Sequence, residues 1–212
     1  LEPGPEPAAV LERMCRVIEH RGPDGAGTWS DGTAWLGHRR LSIIDLTEGG
    51  SQPQTYEHLH ITFNGEIYNY AEIKKTLQEK GHQFHSHSDT EVILHAYAEW
   101  GSAALQKFIG MFAFVIYDER TQKLFGCRDR AGVKPFFYYW KDGLFLFASE
   151  LKAIMQHPGF KKEININAAA AYMQHQYVPT PHCIFNNTEK LKPGYFIELD
   201  LQKKQLNTTQ YW

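Results

Sequence analysis

Four short polar clusters interrupt the apolar stretches of this chain: "HRRLSIID" (38–45), "NGE" (64–66), "HSDTE" (87–91) and "RDRAGVKP" (128–135). Each sits at a strand end or in an irregular segment, where binding groups tend to gather. Each also has a plain reading. Arg39 and Arg40 can be two solvated bases, Asp89 part of a helix cap, and Asn64-Gly65 a tight turn. "RDRAGVKP" reads as a structural connection shaped by Gly132 and Pro135, with no chemistry attached. His82, His85 and His87 with Asp89 offer imidazole and carboxylate groups to a metal. No further ligand follows at a fixed spacing, so no metal is expected. Cys15 falls on an apolar helix face, Cys127 ends a core strand and Cys183 lies in a loop before Ile184-Phe185. None has the surroundings of a nucleophile.

The oddest of these features is Asn64-Gly65-Glu66. Asn-Gly normally joins two strands of a hairpin. Here "LHITF" before it alternates like a strand, but "NYAEIKKTLQEKG" after it carries Ile73 and Leu77 one helical turn apart and ends in glycine. An Asn-Gly between a strand and a helix asks for a reason other than turning.

The flanking elements follow from periodicity. "AAVLERMCRVIEH" gathers Val10, Leu11, Met14, Val17 and Ile18 on one helical face. "AGTWS" and "TAWLGHR" predict two strands around Asp31-Gly32, and "HQFHS" predicts a third. "SDTEVILHAYAEWG" predicts a helix opened by a capping box from Ser88 to Glu91 and closed by Gly101. "GMFAFVIYDERTQKLFGCRDR", "KPFFYYWKDGLFLFAS" and the final "GYFIELDLQKKQLNTTQYW" predict hairpins, with the short helices "ELKAIM" and "NAAAAYMQH" between the last two. Phe112, Phe114, Phe136, Phe137, Phe145 and Phe147 are expected in the core. Tight turns and blocks of helix favour an α+β domain with antiparallel sheets over a parallel βαβ sheet.

The 212 residues suit one domain, and with 42% hydrophobic residues a sizeable core is available. Twenty-two basic and 24 acidic residues leave a net charge of −2, which points to neither nucleic acid nor membrane. Three scattered cysteines argue against a disulfide framework and for a reducing, cytoplasmic setting. The sequons at Asn186 and Asn207 then read as loop chemistry.

Taken in order, "HRGPDG", "HRRLSIIDL", "GSQP", "FNGEIYNY", "SDTEVILHAY", "GMFAFVIYD", "RDRAGVKPFFY", "SELKAIM" and "LKPGY" closely resemble the N-terminal glutaminase domain of glutamine-hydrolysing asparagine synthetases. That domain is a class II glutamine amidotransferase, one of the N-terminal-nucleophile hydrolases. The resemblance runs from about Leu11 to Trp212. It implies a four-layer αββα sandwich of two antiparallel sheets, and hydrolysis of L-glutamine to glutamate and ammonia. It also implies an ammonia-accepting synthetase domain that binds ATP and Mg²⁺ and converts aspartate to asparagine. The glutaminase domain itself is expected to need no cofactor.

The resemblance assigns roles residue by residue. Asn64, through its side-chain NH₂, and Gly65, through its backbone N–H, would form the oxyanion hole, where one donor is worth about 3–4 kcal/mol of barrier. Arg40 would clamp the α-carboxylate, Glu66 and Asp89 would hold the α-ammonium, and the backbone of Ile43 and Ile44 would line the pocket. The family's nucleophile is a cysteine opening a strand "CGI…" ahead of the first helix. The sequence holds no such strand and begins on a proline-rich "LEPGPEP" without an initiator Met, which reads as a truncated start. As written, the polypeptide is expected to bind glutamine and not to hydrolyse it. Two other readings stay open: a non-catalytic glutamine-binding or interface module, and a glutaminase serving another acceptor, as in sugar-phosphate or phosphoribosyl amidotransferases. The oligomeric state stays open as well, a homodimer being the arrangement to test.

Overall fold

The computed structural model describes residues 6–42 and 48–212; Ile43 and Ile44 lie outside the described residues. Helix α1 (Pro7–Arg16) leads into the antiparallel pair β1 (Gly25–Ser30) and β2 (Trp35–Arg40). Asp31 Oδ1 organises their turn by accepting the N–H groups of Thr33 and Ala34. A three-residue strand, β3 (Gln54–Tyr56), pairs with β4 (Leu59–Ile67), and helices α2 (Tyr70–Glu79) and α3 (Asp89–Trp100) follow. Two hairpins come next, β5 (Gly110–Asp118) with β6 (Lys123–Arg128), then β7 (Phe137–Lys141) with β8 (Leu144–Ala148). Helices α4 (Leu151–Ile154) and α5 (Ile166–His175), the short β9 (Thr188–Lys190), and the closing hairpin β10 (Tyr195–Asp200) and β11 (Gln205–Gln210) complete the chain.

The main sheet has six antiparallel strands in the order β11-β10-β6-β5-β4-β3. Alternation along β5 divides its side chains between two cores. Phe112, Phe114 and Ile116 pack with Ile73 and Leu77 of α2 and with Ile93 and Leu94 of α3. Ala113, Val115 and Tyr117 face the other way and pack with Leu36 of β2 and Phe136 and Tyr138 of the β7 hairpin. Beyond that second strand layer, Tyr139 and Leu146 meet Ile154 of α4 and Phe160. The layers therefore run helix, sheet, sheet, helix, the expected αββα order. Each fully buried aromatic or aliphatic side chain contributes about 1.5–3 kcal/mol to holding them together.

Three local expectations change. The second strand layer is divided among the described residues: β1-β2 forms one sheet and β8-β7-β9 another, with β2 and β8 both lining one cavity. "HQFHS" is not a strand, because the Glu91 carboxylate takes the N–H groups of His85 and Ser86 and the Ser86 hydroxyl, replacing a ladder. For the same reason Glu91 does not close a capping box. Ser88 Oγ caps α3 by accepting Thr90 N–H, and Ser88 N–H is taken by Ser86 Oγ. Finally, Asn64-Gly65 lies inside β4, which continues to Ile67 in unbroken register with β5.

Candidate active site

Strand β4 builds one edge of the site. Phe63 N–H points away from β5 and donates to Gln52 Oε1 at 2.6 Å. Four residues further on, Ile67 N–H donates to Asp89 Oδ2 at 3.0 Å on the same edge. The register with β5 holds throughout, so Gly65 N–H points out of that edge between the two. A side chain at 65 cannot be accommodated: a β-carbon would lie 2.2 Å from Met111 O and 2.7 Å from Phe112 Cα, both backbone atoms.

The even-numbered residues of β4 face the interior between the strand layers. Thr62 Oγ1 donates to Gly37 O at 3.3 Å, bringing β4 against β2. Asn64 shares this face with Ala113, opposite it on β5. Asn64 Nδ2 is buried and has no hydrogen-bond partner among the described residues. A buried amide left open costs about 1–3 kcal/mol, so an open donor is expected where a ligand completes it.

Strand β2 supplies the opposite wall. Leu36 belongs to the inter-sheet core, which sends His38 and Arg40 to the same inner face. Arg39 turns outward, to Gly22 O and Glu19. Arg40 lies 3.5 Å from Ser51 Oγ. His38 Nε2 lies 3.2 Å from Phe63 O, and a carbonyl only accepts, so Nε2 carries the hydrogen and Nδ1 is bare. Burial holds this imidazole down to about 4, with Arg40 adding to the effect and the Phe63 bond opposing it.

Helix α3 closes the site with Asp89 at its first turn, 5% exposed. Burial pushes the Asp89 carboxyl up, the N–H groups of Ile67 and Thr90 oppose, and the nearby Glu66 charge raises it further. Such a group gains from a cation placed between the two carboxylates. Arg40, Asn64, Gly65, Glu66 and Asp89 thus line one cavity of about 770 Å³. Away from these residues the cavity continues as an apolar trench between the edges of β2 and β8, beside Leu11 and Cys15 of α1.

Other candidates fall outside this cavity or serve the scaffold. Asp129 accepts N–H groups from Phe112, Ala131, Val133 and Lys134, and Arg128 donates to the carbonyls of Gly132, Lys134 and Leu191. His82 bonds His95 and Glu99. No group of three or more potential metal ligands occurs among the described residues. Burial raises all three thiols, Cys15, Cys127 and Cys183. No helix among the described residues is long and apolar enough to cross a membrane. Sequence reasoning passed over Gln52, His38 and Thr90. Gln52 stands in the quoted "GSQP", but its contact with Phe63 depends on a strand register that periodicity does not show.

Comparison with known proteins identifies the family. Residues 1–212 match the glutamine amidotransferase domain family. The chain is 39% identical over 208 residues to "Asparagine synthetase [glutamine-hydrolyzing] 3" of Bacillus subtilis, covering 96% of this chain and 33% of that protein. It is 37% identical over 224 residues to a putative asparagine synthetase of Methanocaldococcus jannaschii, covering 95% and 43%. The chain spans about a third to two fifths of the length of these curated relatives. In structure it resembles the glutamine phosphoribosylpyrophosphate amidotransferase of B. subtilis, with a TM-score of 0.69 at 18% identity over 98% of this chain and 47% of that one. At that identity the likeness speaks for the fold alone. The chain belongs to the glutamine amidotransferase domain family.

Proposed function

We propose that this chain recognises L-glutamine and forms the glutaminase half of an asparagine synthetase. The observation that carries the reading is the open donor pair on β4. Asn64 Nδ2 is buried and unpaired among the described residues, and Gly65 N–H emerges beside it where no β-carbon fits. Preorganised donors of this kind stabilise the oxyanion of an amide under attack. Arg40 presents a planar fork to the α-carboxylate, and Glu66 and Asp89 receive the α-ammonium.

The attacking thiol is not any cysteine described above, since burial keeps each of them protonated. We assign it to an N-terminal strand of the sequence "CGI…" lying in the trench between β2 and β8. Both trench edges are strand edges, and the bare Nδ1 of His38, whose residue lines the trench, is an acceptor for an added backbone N–H. Its α-amine would take the thiol proton, and the thiolate would attack the γ-carbonyl. The C–N bond would break as that proton passes to the leaving ammonia, and water would then hydrolyse the thioester to glutamate and the free thiol. The ammonia released would pass to a synthetase domain holding ATP and Mg²⁺, in a cytoplasmic enzyme whose subunits pair as homodimers.

The test has two parts. Calorimetric titration of the chain with L-glutamine is expected to show stereoselective binding that Arg40→Ala weakens by about 2–5 kcal/mol. The chain extended by a Cys-Gly-Ile strand ahead of α1 is expected to release glutamate from glutamine. Binding without turnover in the extended chain would favour the non-catalytic glutamine-binding module. The absence of binding in either form would contradict the reading.

A further inference from the structure

The β3–β4 ladder ends at Gln54 opposite Ile61. Continued in the same register, the next pair would set Gln52 opposite Phe63. That backbone pair does not form, because the carbonyl of Gln52 is turned to Gly27, where a β-carbon would stand 2.1 Å from its oxygen. The side chain does what the ladder does not. Gln52 Oε1 accepts Phe63 N–H at 2.6 Å, and Gln52 Nε2 donates to Thr90 Oγ1 at 3.3 Å. On its other backbone group, Phe63 is held by His38. One amide therefore links the residue before Asn64 to the residue after Asp89.

We propose that Gln52 is a positioning residue for the oxyanion hole. It lines the cavity, but its amide oxygen and nitrogen are bonded to Phe63 N–H and Thr90 Oγ1 and not turned open to a substrate. Instead it sets the distance between the β4 donors and the α3 carboxylate, so the donors point where oxygen lies in a tetrahedral adduct. This inference rests on the glutamine reading of the site. Its signature is selective: a misplaced donor weakens a tetrahedral anion more than a planar amide that is held chiefly by its head group.

The test compares calorimetric affinities for L-glutamine and for L-2-amino-4-phosphonobutyrate, which carries the same head group and a tetrahedral anionic end. Gln52→Met keeps the length of the side chain and removes both hydrogen bonds. It is expected to weaken the phosphonate about tenfold or more while glutamine stays within about threefold. Thr90→Val cuts only the link to α3 and should weaken the phosphonate about threefold by the same reasoning. Equal weakening of both compounds, or no change in either, overturns the proposal. If Gln52→Met does not fold, Thr90→Val decides alone, and an unchanged phosphonate affinity there overturns it. A wild-type chain that binds neither compound overturns the glutamine reading, and the positioning role with it.

Discussion

Two polar clusters at strand ends look equally suggestive in the sequence, and their interiors differ. Around Arg128 and Asp129 both charged side chains are answered from within: four backbone N–H groups converge on one carboxylate, and one guanidinium spans three carbonyls. The neighbouring Arg130 Nε is buried without a partner among the described residues, but it faces no cavity shared with Arg40 or Asn64. Along β4 the pattern is broken at chosen points. Phe63 and Ile67 have partners on the free edge, while Asn64 Nδ2 between them stays open and Gly65 N–H emerges beside it. The first cluster is scaffold and the second is a site. A buried polar group left open is costly, so open donors backed by carefully held neighbours distinguish a binding corner from a loop clasp.

The sharpest way to break this contrast is to exchange the phenotypes. Asp129→Ala strands four backbone donors, that of Phe112 buried and the other three part-buried. It should cost about 1–3 kcal/mol of stability, read by denaturant titration, without changing glutamine affinity in the folded fraction. Asn64→Ala should leave stability near wild type and lower kcat of the strand-extended chain by about a hundredfold or more, with a smaller change in KM. Were Asn64→Ala to unfold the protein with kcat intact, the two regions would not differ in kind. Arg40→Ala should weaken glutamine by about 2–5 kcal/mol, measured calorimetrically.

The smallest effect concerns pH. Burial, with Glu66 nearby, sets the folded Asp89 carboxyl above its unfolded value. The folded chain then binds the proton more tightly than the unfolded chain. This group's contribution to stability therefore falls as pH rises from the unfolded value through the folded one. Asp89→Asn should raise the melting temperature near neutrality, and the gain should vanish below the unfolded value of about 3.9. In wild type, glutamine affinity should fall as pH drops through the raised range, where Asp89 takes up its proton. An unchanged pH profile in Asp89→Asn would remove Asp89 from the ammonium site.

Much of this architecture was readable because it is written locally. Asp31-Gly32 and Asp142-Gly143 mark their hairpins, and the Ile73/Leu77 spacing marks α2. Features that depend on distant partners were not readable. Glu91 looked like a capping residue until the 85–86 backbone was seen to claim it. Strand β3 is three residues long, too short for alternation to register. Arg40 could be told from Arg39 only through the family resemblance; in the structure the pleat of β2 separates them, one facing inward and the other bound to Glu19. Gln52 carried no visible role, because its role is to stand in for a strand pair.

The account turns on the two β4 donors, and a crystal structure of the chain with L-2-amino-4-phosphonobutyrate tests them directly. One phosphonate oxygen should lie about 2.7–3.1 Å from both Asn64 Nδ2 and Gly65 N, with the head group between Arg40 and the Glu66–Asp89 pair. A phosphonate bound elsewhere, or seated in the cavity with both donors still open, would contradict it.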